Sequence, residues 1–129
     1  MSRSDPPVAG RHALVIDDDL ALRGLFTCIL ARKGFSVDVA GDGRVGFDQL
    51  TRHSYSVILL DLMMPNVNGF ELLERMGRDS PALLKRVIVM SGAAQKQVSR
   101  VDPKVVFDVI RKPFDIDQLV SSAIACSES

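Results

Sequence analysis

The chain has 129 residues, of which 47% are apolar and 25% charged, the balance expected of one globular domain with a real core. Sixteen basic and sixteen acidic side chains cancel. This speaks against direct nucleic-acid binding or a membrane-binding face driven by charge. No apolar stretch approaches the roughly 20 residues of a membrane span, and the N-terminus lacks a signal-peptide core.

Residues 1–11 carry Ser, Asp, Pro-Pro and Gly and read as an N-terminal tail. A first strand is expected over Ala13–Asp17, because His12-Ala-Leu-Val-Ile16 is a short apolar run. It leads into Asp17-Asp18-Asp19. Asp19 is placed to cap a helix over Leu20–Lys33, with Leu22, Leu25, Phe26, Ile29 and Leu30 on one stripe. Gly34 is placed to end that helix in a left-handed conformation.

Ser36–Ala40 reads as a second strand, and Gly41-Asp42-Gly43 as a turn. A second helix follows over Arg44–Arg52, with Val45, Phe47 and Leu50 for packing. Gly46 weakens it by about 1 kcal/mol relative to Ala. The third strand, Ser56–Asp61, should be central, since Val57-Ile-Leu-Leu60 is continuously apolar. The loop Asp61-Leu-Met-Met-Pro-Asn-Val-Asn-Gly69 leads to a third helix running to about Met76. Pro65 delays the helix, and Gly69 gives backbone freedom where it starts. Met63 and Met64 read as core filling.

Strand four is expected at about Arg86–Ser91, ending on Ser91-Gly-Ala93. A fourth helix over about Ala94–Val101 has a weak pattern, and Asp102-Pro103 stops it. Strand five, about Val106–Ile110, leads into Arg111-Lys112-Pro113. A last helix spans Asp115 to about Ala125, with Ile116, Leu119, Val120, Ala123 and Ile124 inward, and residues 126–129 form a C-terminal tail. Cys28 and Cys126 fall within helices, have no metal-type spacing, and read as reduced structural thiols of a cytosolic protein.

Five strands alternating with five helices make an α/β fold with a parallel sheet covered on both faces. Ligands in such a sheet bind beyond the carboxyl ends of the strands. Asp17, Asp18, Asp61, Ser91 and Lys112 would converge there. Like charges at about 4 Å repel by roughly 4 kcal/mol at an effective dielectric of 20. Three carboxylates therefore need something positive between them. A hard cation such as Mg2+ takes oxygen ligands, and Lys112 supplies a second positive charge.

These residues carry a resemblance. Over residues 12–125 the chain resembles a response-regulator receiver domain of two-component signalling, specifically of the chemotaxis-regulator-like type. The matching pieces are Asp17-Asp18, Asp61 with Met64-Pro65 and Gly69, Ser91, and Lys112-Pro113-Phe114. The resemblance implies a flavodoxin-like (βα)5 doubly wound sheet of strand order 2-1-3-4-5. It implies Asp61 as phosphoacceptor for a sensor histidine kinase or a histidine phosphotransfer protein. Mg2+ would be held by Asp18, Asp61 and the Met63 backbone carbonyl, with Asp17 acting through water. Ser91 and Lys112 would hold the phosphoryl oxygens. An altered face around the fourth helix, fifth strand and fifth helix would then meet a downstream protein. The chain would be cytoplasmic. It would not be an enzyme beyond its own aspartyl phosphorylation and dephosphorylation, and with no output domain after Ala125 it would not bind DNA by itself.

Met63 and Ala93 stand where many relatives carry polar residues, which implies slow loss of the phosphoryl group. Val109 stands where many carry an aromatic that rotates on activation. Phe107 would share its face by alternation. Two rivals remain open here. One is a small Mg2+-dependent phosphohydrolase of haloacid-dehalogenase type, using Asp17 and Asp19 as an Asp-x-Asp pair. The other is an interaction module that has lost phosphorylation.

Overall fold

The computed structural model describes residues 10–62, 69–91, 104–111 and 115–129, excluding the side chains of Phe70 and Ser91. Five parallel strands form one sheet: β1 (His12–Ile16), β2 (Ser36–Ala40), β3 (Val57–Asp61), β4 (Val87–Ser91) and β5 (Asp108–Arg111). Their order is β2-β1-β3-β4-β5. The described helices are α1 (Leu20–Ala31), α2 (Gly43–Arg52), α3 (Gly69–Asp79) and the C-terminal helix α4 (Ile116–Ser127), with a 3₁₀ helix over Pro81–Arg86. The expected helix at 94–101 lies outside the described residues.

The inner strands β1, β3 and β4 are apolar on both faces, and the period-two alternation divides their side chains between two cores. Leu14, Ile16, Ile58, Leu60, Val87 and Val89 pack with Leu50 of α2 and with Leu72 and Met76 of α3. Ala13, Val15, Val57, Leu59, Ile88, Met90 and Ile110 pack with Phe26 and Leu30 of α1 and with Leu119, Ala123 and Cys126 of α4. Full burial of each Leu, Ile, Val, Phe or Met side chain contributes about 1.5–3 kcal/mol. These two slabs therefore fix the sheet between helical layers.

The helix ends follow from single residues. Asp19 accepts from the backbone N–H groups of Ala21 and Leu22, so it caps α1 as expected. Gly34 has φ +84°. There its N–H donates to the Ala31 carbonyl and that of Phe35 to the Leu30 carbonyl, both at 3.1 Å. This is the Schellman arrangement, which turns Phe35 back into the core beside Leu30. Asp115 caps α4 through the N–H groups of Asp117 and Gln118.

Several expected boundaries shift. β1 ends at Ile16, so Asp17 stands just past the strand. α1 stops two residues before Lys33, because the Gly34 closure takes over its last carbonyls. α3 continues to Asp79. α4 runs to Ser127 with Cys126 only 3% exposed, so the segment expected as a tail from 126 begins inside the last helix. Leu25, Val45 and Ile116 were expected to pack inward but are exposed, because each lies off the stripe that faces the sheet. Strand five starts at Asp108, two residues late. Alternation therefore does not reach Phe107. Val109 packs on the α2–α3 side while Phe107 packs on the α1–α4 side.

Gly46 looked like a weakness in α2. A Cβ there would lie 2.6 Å from the Ile16 Cδ1. The glycine lets α2 close on β1, which offsets its poor helix propensity.

Candidate metal and phosphoryl site

Register places the acids. Ile16 is paired with Leu60, so the residues that follow, Asp17 and Asp61, stand side by side at the carboxyl end of the sheet. The Asp17 N–H donates to the Ala40 carbonyl at 3.0 Å, which ties the end of β1 to β2. The Leu62 N–H donates to the Met90 carbonyl at 3.1 Å, which extends the β3–β4 ladder past Asp61. Backbone hydrogen bonds thus hold both strands as far as these acids.

Asp17, Asp18 and Asp61 each offer an oxygen, and the three lie within 4.8 Å of one another. Asp17 and Asp61 are buried, and Asp18 is exposed. The Asp17 Oδ1 accepts the Asp19 N–H at 2.9 Å. That bond fixes the Asp17 side chain and turns the chain into α1. Two buried carboxylates beside a third are unfavourable in the absence of a cation. Three carboxylate oxygens, one of them open to solvent, suit a hard divalent ion that keeps part of its water shell. The donor set therefore fits Mg2+.

The structure brings together Asp17, Asp18 and Asp61 from the expected set. Met63, the Ser91 hydroxyl and Lys112 lie outside the described residues, as do Met64, Pro65, Ala93, Pro113 and Phe114. The backbone of Ser91 is paired with Arg111 at the same end of the sheet. The Asp-x-Asp reading loses its second acid. Asp19 turns away to cap α1 instead of joining Asp17.

Gly69 fits its place for a reason other than conformational freedom. Gly69 is not among the glycines with positive φ. What it supplies is space. Its N–H donates to the Leu62 carbonyl at 3.3 Å, and it lies against the backbone of Asp61 and Leu62. Sequence marks the glycine but not the neighbour that demands it.

The family model described as response regulator receiver domain matches residues 13–124. Response regulator ArlR of Staphylococcus epidermidis is 30% identical over 110 residues, covering 85% of this chain and 49% of its own. Transcriptional activator protein PfeR of Pseudomonas aeruginosa is 33% identical over 121 residues, covering 92% of this chain and 38% of its own. The chain thus spans about half of ArlR and a smaller share of PfeR. Among solved structures, response regulator TrrA of Thermotoga maritima, in complex with Mg(2+)-BeF, superposes with a TM-score of 0.79. It is 22% identical and covers 90% of this chain and 98% of its own, a likeness that speaks to fold alone.

Proposed function

Because the chain belongs to the response-regulator receiver family, we propose that Asp61 is its phosphoacceptor and that Asp17, Asp18 and Asp61 form its Mg2+ site. The observation that carries this reading is the gathering of three carboxylates at the carboxyl end of the sheet. An Asp61 oxygen attacks the phosphorus of a phosphohistidine on a sensor histidine kinase or phosphotransfer protein. The new bond is Asp61 O–P, and the bond broken is imidazole N–P. The electron pair and a proton go to the departing imidazole.

Asp18, Asp61 and the Met63 carbonyl would hold Mg2+, with Asp17 acting through water. When bound, the ion offsets charge on the transferring group and orients it. Asp17 is suited to a water-mediated role because one oxygen already accepts the Asp19 N–H. Ser91 and Lys112 would hold the phosphoryl oxygens from the β4 and β5 ends. Positioning and charge complementarity do most of the work in such transfers. The chain performs no chemistry on other substrates in this reading. The phosphohydrolase reading is not favoured: the family match is to a receiver, and Asp19 is a helix cap.

Signal leaves through a surface that meets a downstream protein, around the segment after β4, β5 and α4. Val109 is small and β-branched, and it packs against the α2–α3 core. Phe107 faces the other core and cannot substitute for it. Output is therefore carried by backbone movement after Ser91 rather than by an aromatic rotation. Met63 and Ala93 cannot hydrogen-bond an attacking water through their side chains, which supports slow self-dephosphorylation. No described helix is long and apolar enough to cross a membrane, and the cytoplasmic reading rests on the family and the free thiols. The absence of direct nucleic-acid contact is proposed for these residues only.

The test is intact mass after incubation with acetyl phosphate and Mg2+. One phosphoryl group is expected on the parent and none on Asp61→Asn. Equal labelling of both proteins would remove Asp61 from the role.

A further inference from the structure

We infer that Gly69 is a positioning residue for Asp61, an inference that rests on the reading of Asp61 as the phosphoacceptor. Gly69 opens α3, yet its importance lies in what it touches. A Cβ at this position would sit 2.8 Å from the Leu62 Cα, 2.8 Å from the Leu62 Cδ2 and 3.0 Å from the Asp61 carbonyl oxygen. Real Cβ contacts essentially never fall below 3.0 Å. Two of these three neighbours are backbone atoms, which cannot rotate away. The Gly69 N–H also donates to the Leu62 carbonyl. The first turn of α3 is therefore seated directly on Asp61, the last residue of β3, and on Leu62 just past it.

Gly46 provides the comparison. Its missing Cβ would meet the Ile16 Cδ1 at 2.6 Å, shorter still, and the Ile16 Cγ1 and Cγ2 at 3.0 and 3.3 Å, all of them side-chain atoms. The overlap there falls on a side chain and on no backbone atom. At Gly69 the adjustment must come from the α3 backbone or from the β3 end. The Leu62–Met90 hydrogen bond holds the β3 end from the other side. A methyl group at 69 thus pushes the Asp61–Leu62 backbone by a few tenths of an ångström against that bond. The carboxylate oxygens of Asp17, Asp18 and Asp61 lie within 4.8 Å of one another. Mg2+ demands near-ideal geometry at about 2.0–2.1 Å, so a displacement of this size reaches the metal and phosphoryl chemistry.

The experiment compares the parent, Gly69→Ala and Gly46→Ala. In metal-free protein, Gly69→Ala should move the amide NMR signals of Asp61 and Leu62, not only those of α3. Its Mg2+ dissociation constant should rise about tenfold, and its acetyl-phosphate labelling should slow about tenfold, since 1 Å of misplacement can cost about 10²-fold. Gly46→Ala should lower stability while leaving Mg2+ affinity within about twofold of the parent. If Gly69→Ala does not fold, Gly69→Ala/Leu62→Val removes the Cδ2 overlap and keeps the backbone overlap, and the same losses are expected. Shifts confined to residues 70–79, with Mg2+ affinity and labelling within about twofold of the parent, overturn the inference. A parent that is labelled elsewhere than Asp61 overturns the phosphoacceptor reading instead, and the amide and Mg2+ comparisons still decide whether Gly69 sets the position of Asp61.

Discussion

The two ends of the sheet handle charge in opposite ways. Toward the amino end, the Asp38 carboxylate accepts the Tyr55 hydroxyl at 2.7 Å and lies 3.1 Å from the His12 Nε2. The His12 and Tyr55 rings meet at a tilt of 47° with centroids 4.5 Å apart. The Ser56 hydroxyl bonds both the N–H and the carbonyl of His12, and the Arg86 guanidinium donates to the Tyr55 carbonyl at 2.7 Å. The carboxylate there is met by a hydroxyl donor and an imidazole nitrogen. At the carboxyl end, Asp17, Asp18 and Asp61 bring carboxylate oxygens within 4.8 Å of one another. The first arrangement stabilises the fold as it stands. The second gathers like charges, so a bound cation adds stability there, and that makes it responsive. The difference teaches that polar residues at the mouth of one sheet can serve either role, and that the sign of their neighbours decides which.

The largest expected effect removes the responsive end altogether. Asp61→Asn should abolish labelling by acetyl phosphate, read by intact mass, while the Asp38–Tyr55 cluster and the fold persist. The variant also relieves like-charge repulsion, so its metal-free melting temperature should equal or exceed that of the parent. A clear fall in that temperature would show that Asp61 holds the fold together, and the contrast between the two ends would collapse.

The thiols give the next effect. Cys28 is exposed, whereas Cys126 is buried under α4 with its Sγ 3.5 Å from the Ser56 and Arg86 carbonyls. Burial pushes the Cys126 thiol up to about 11, against a pull in the other direction from Arg86. At pH 8, a thiol reagent should modify Cys28 at least about 100-fold faster than Cys126, because the buried thiol reacts only through opening. Burial, and then the hydrogen bond and charge of Asp38, also raise the Tyr55 phenol well above its ordinary value. Both groups have folded values above their unfolded ones. Their contribution is thus fully present below about pH 9 and is lost as pH rises toward 11 and beyond. Alkaline unfolding curves should show this loss, and Cys126→Ala should reduce the part between pH 9 and 11. Equal labelling rates for the two thiols in native protein would contradict the packing of α4.

A third prediction separates the two ends through the metal. Millimolar Mg2+ should raise the melting temperature by mass action, and Asp18→Ala should remove most of that rise. Asp38→Ala should lower the melting temperature but leave the Mg2+ increment unchanged. A parent protein whose melting is indifferent to Mg2+ would argue against the site.

The smallest effect sharpens the amino end. Tyr55→Phe removes one hydrogen bond to a carboxylate and should cost about 1–2 kcal/mol in chemical denaturation. Asp61 labelling should remain within about twofold of the parent. Loss of labelling would mean that the two ends are coupled through β3.

Much of this was legible in the residues. Asp17, Asp18 and Asp61 stand out because each follows an apolar run too short for anything but a strand. Asp19 and Gly34 announce their helix ends by chemistry that is local to a few bonds. Phe107, Leu25 and Cys126 were less legible. Phe107 fails because strand five begins at Asp108, and a start two residues late cancels a parity argument. Leu25 is apolar but sits at the border of its stripe, where only the contact with a neighbouring element decides burial. Cys126 sits past the expected helix end, yet α4 continues because the core on the α1–α4 side reaches that far.

By itself the sequence determined the strand and helix alternation, the acids at the strand ends and the caps, since each depends on periodicity or on hydrogen bonds within one turn. Only the tertiary structure decided that Gly69 answers to the backbone of Asp61 and Leu62, that Gly46 answers to Ile16, and that Asp38 is met by His12 and Tyr55. Those contacts join residues seven to thirty apart in the chain. Their partners are set by register and by the seating of helices on the sheet, and no local pattern of residues encodes a distance between two elements.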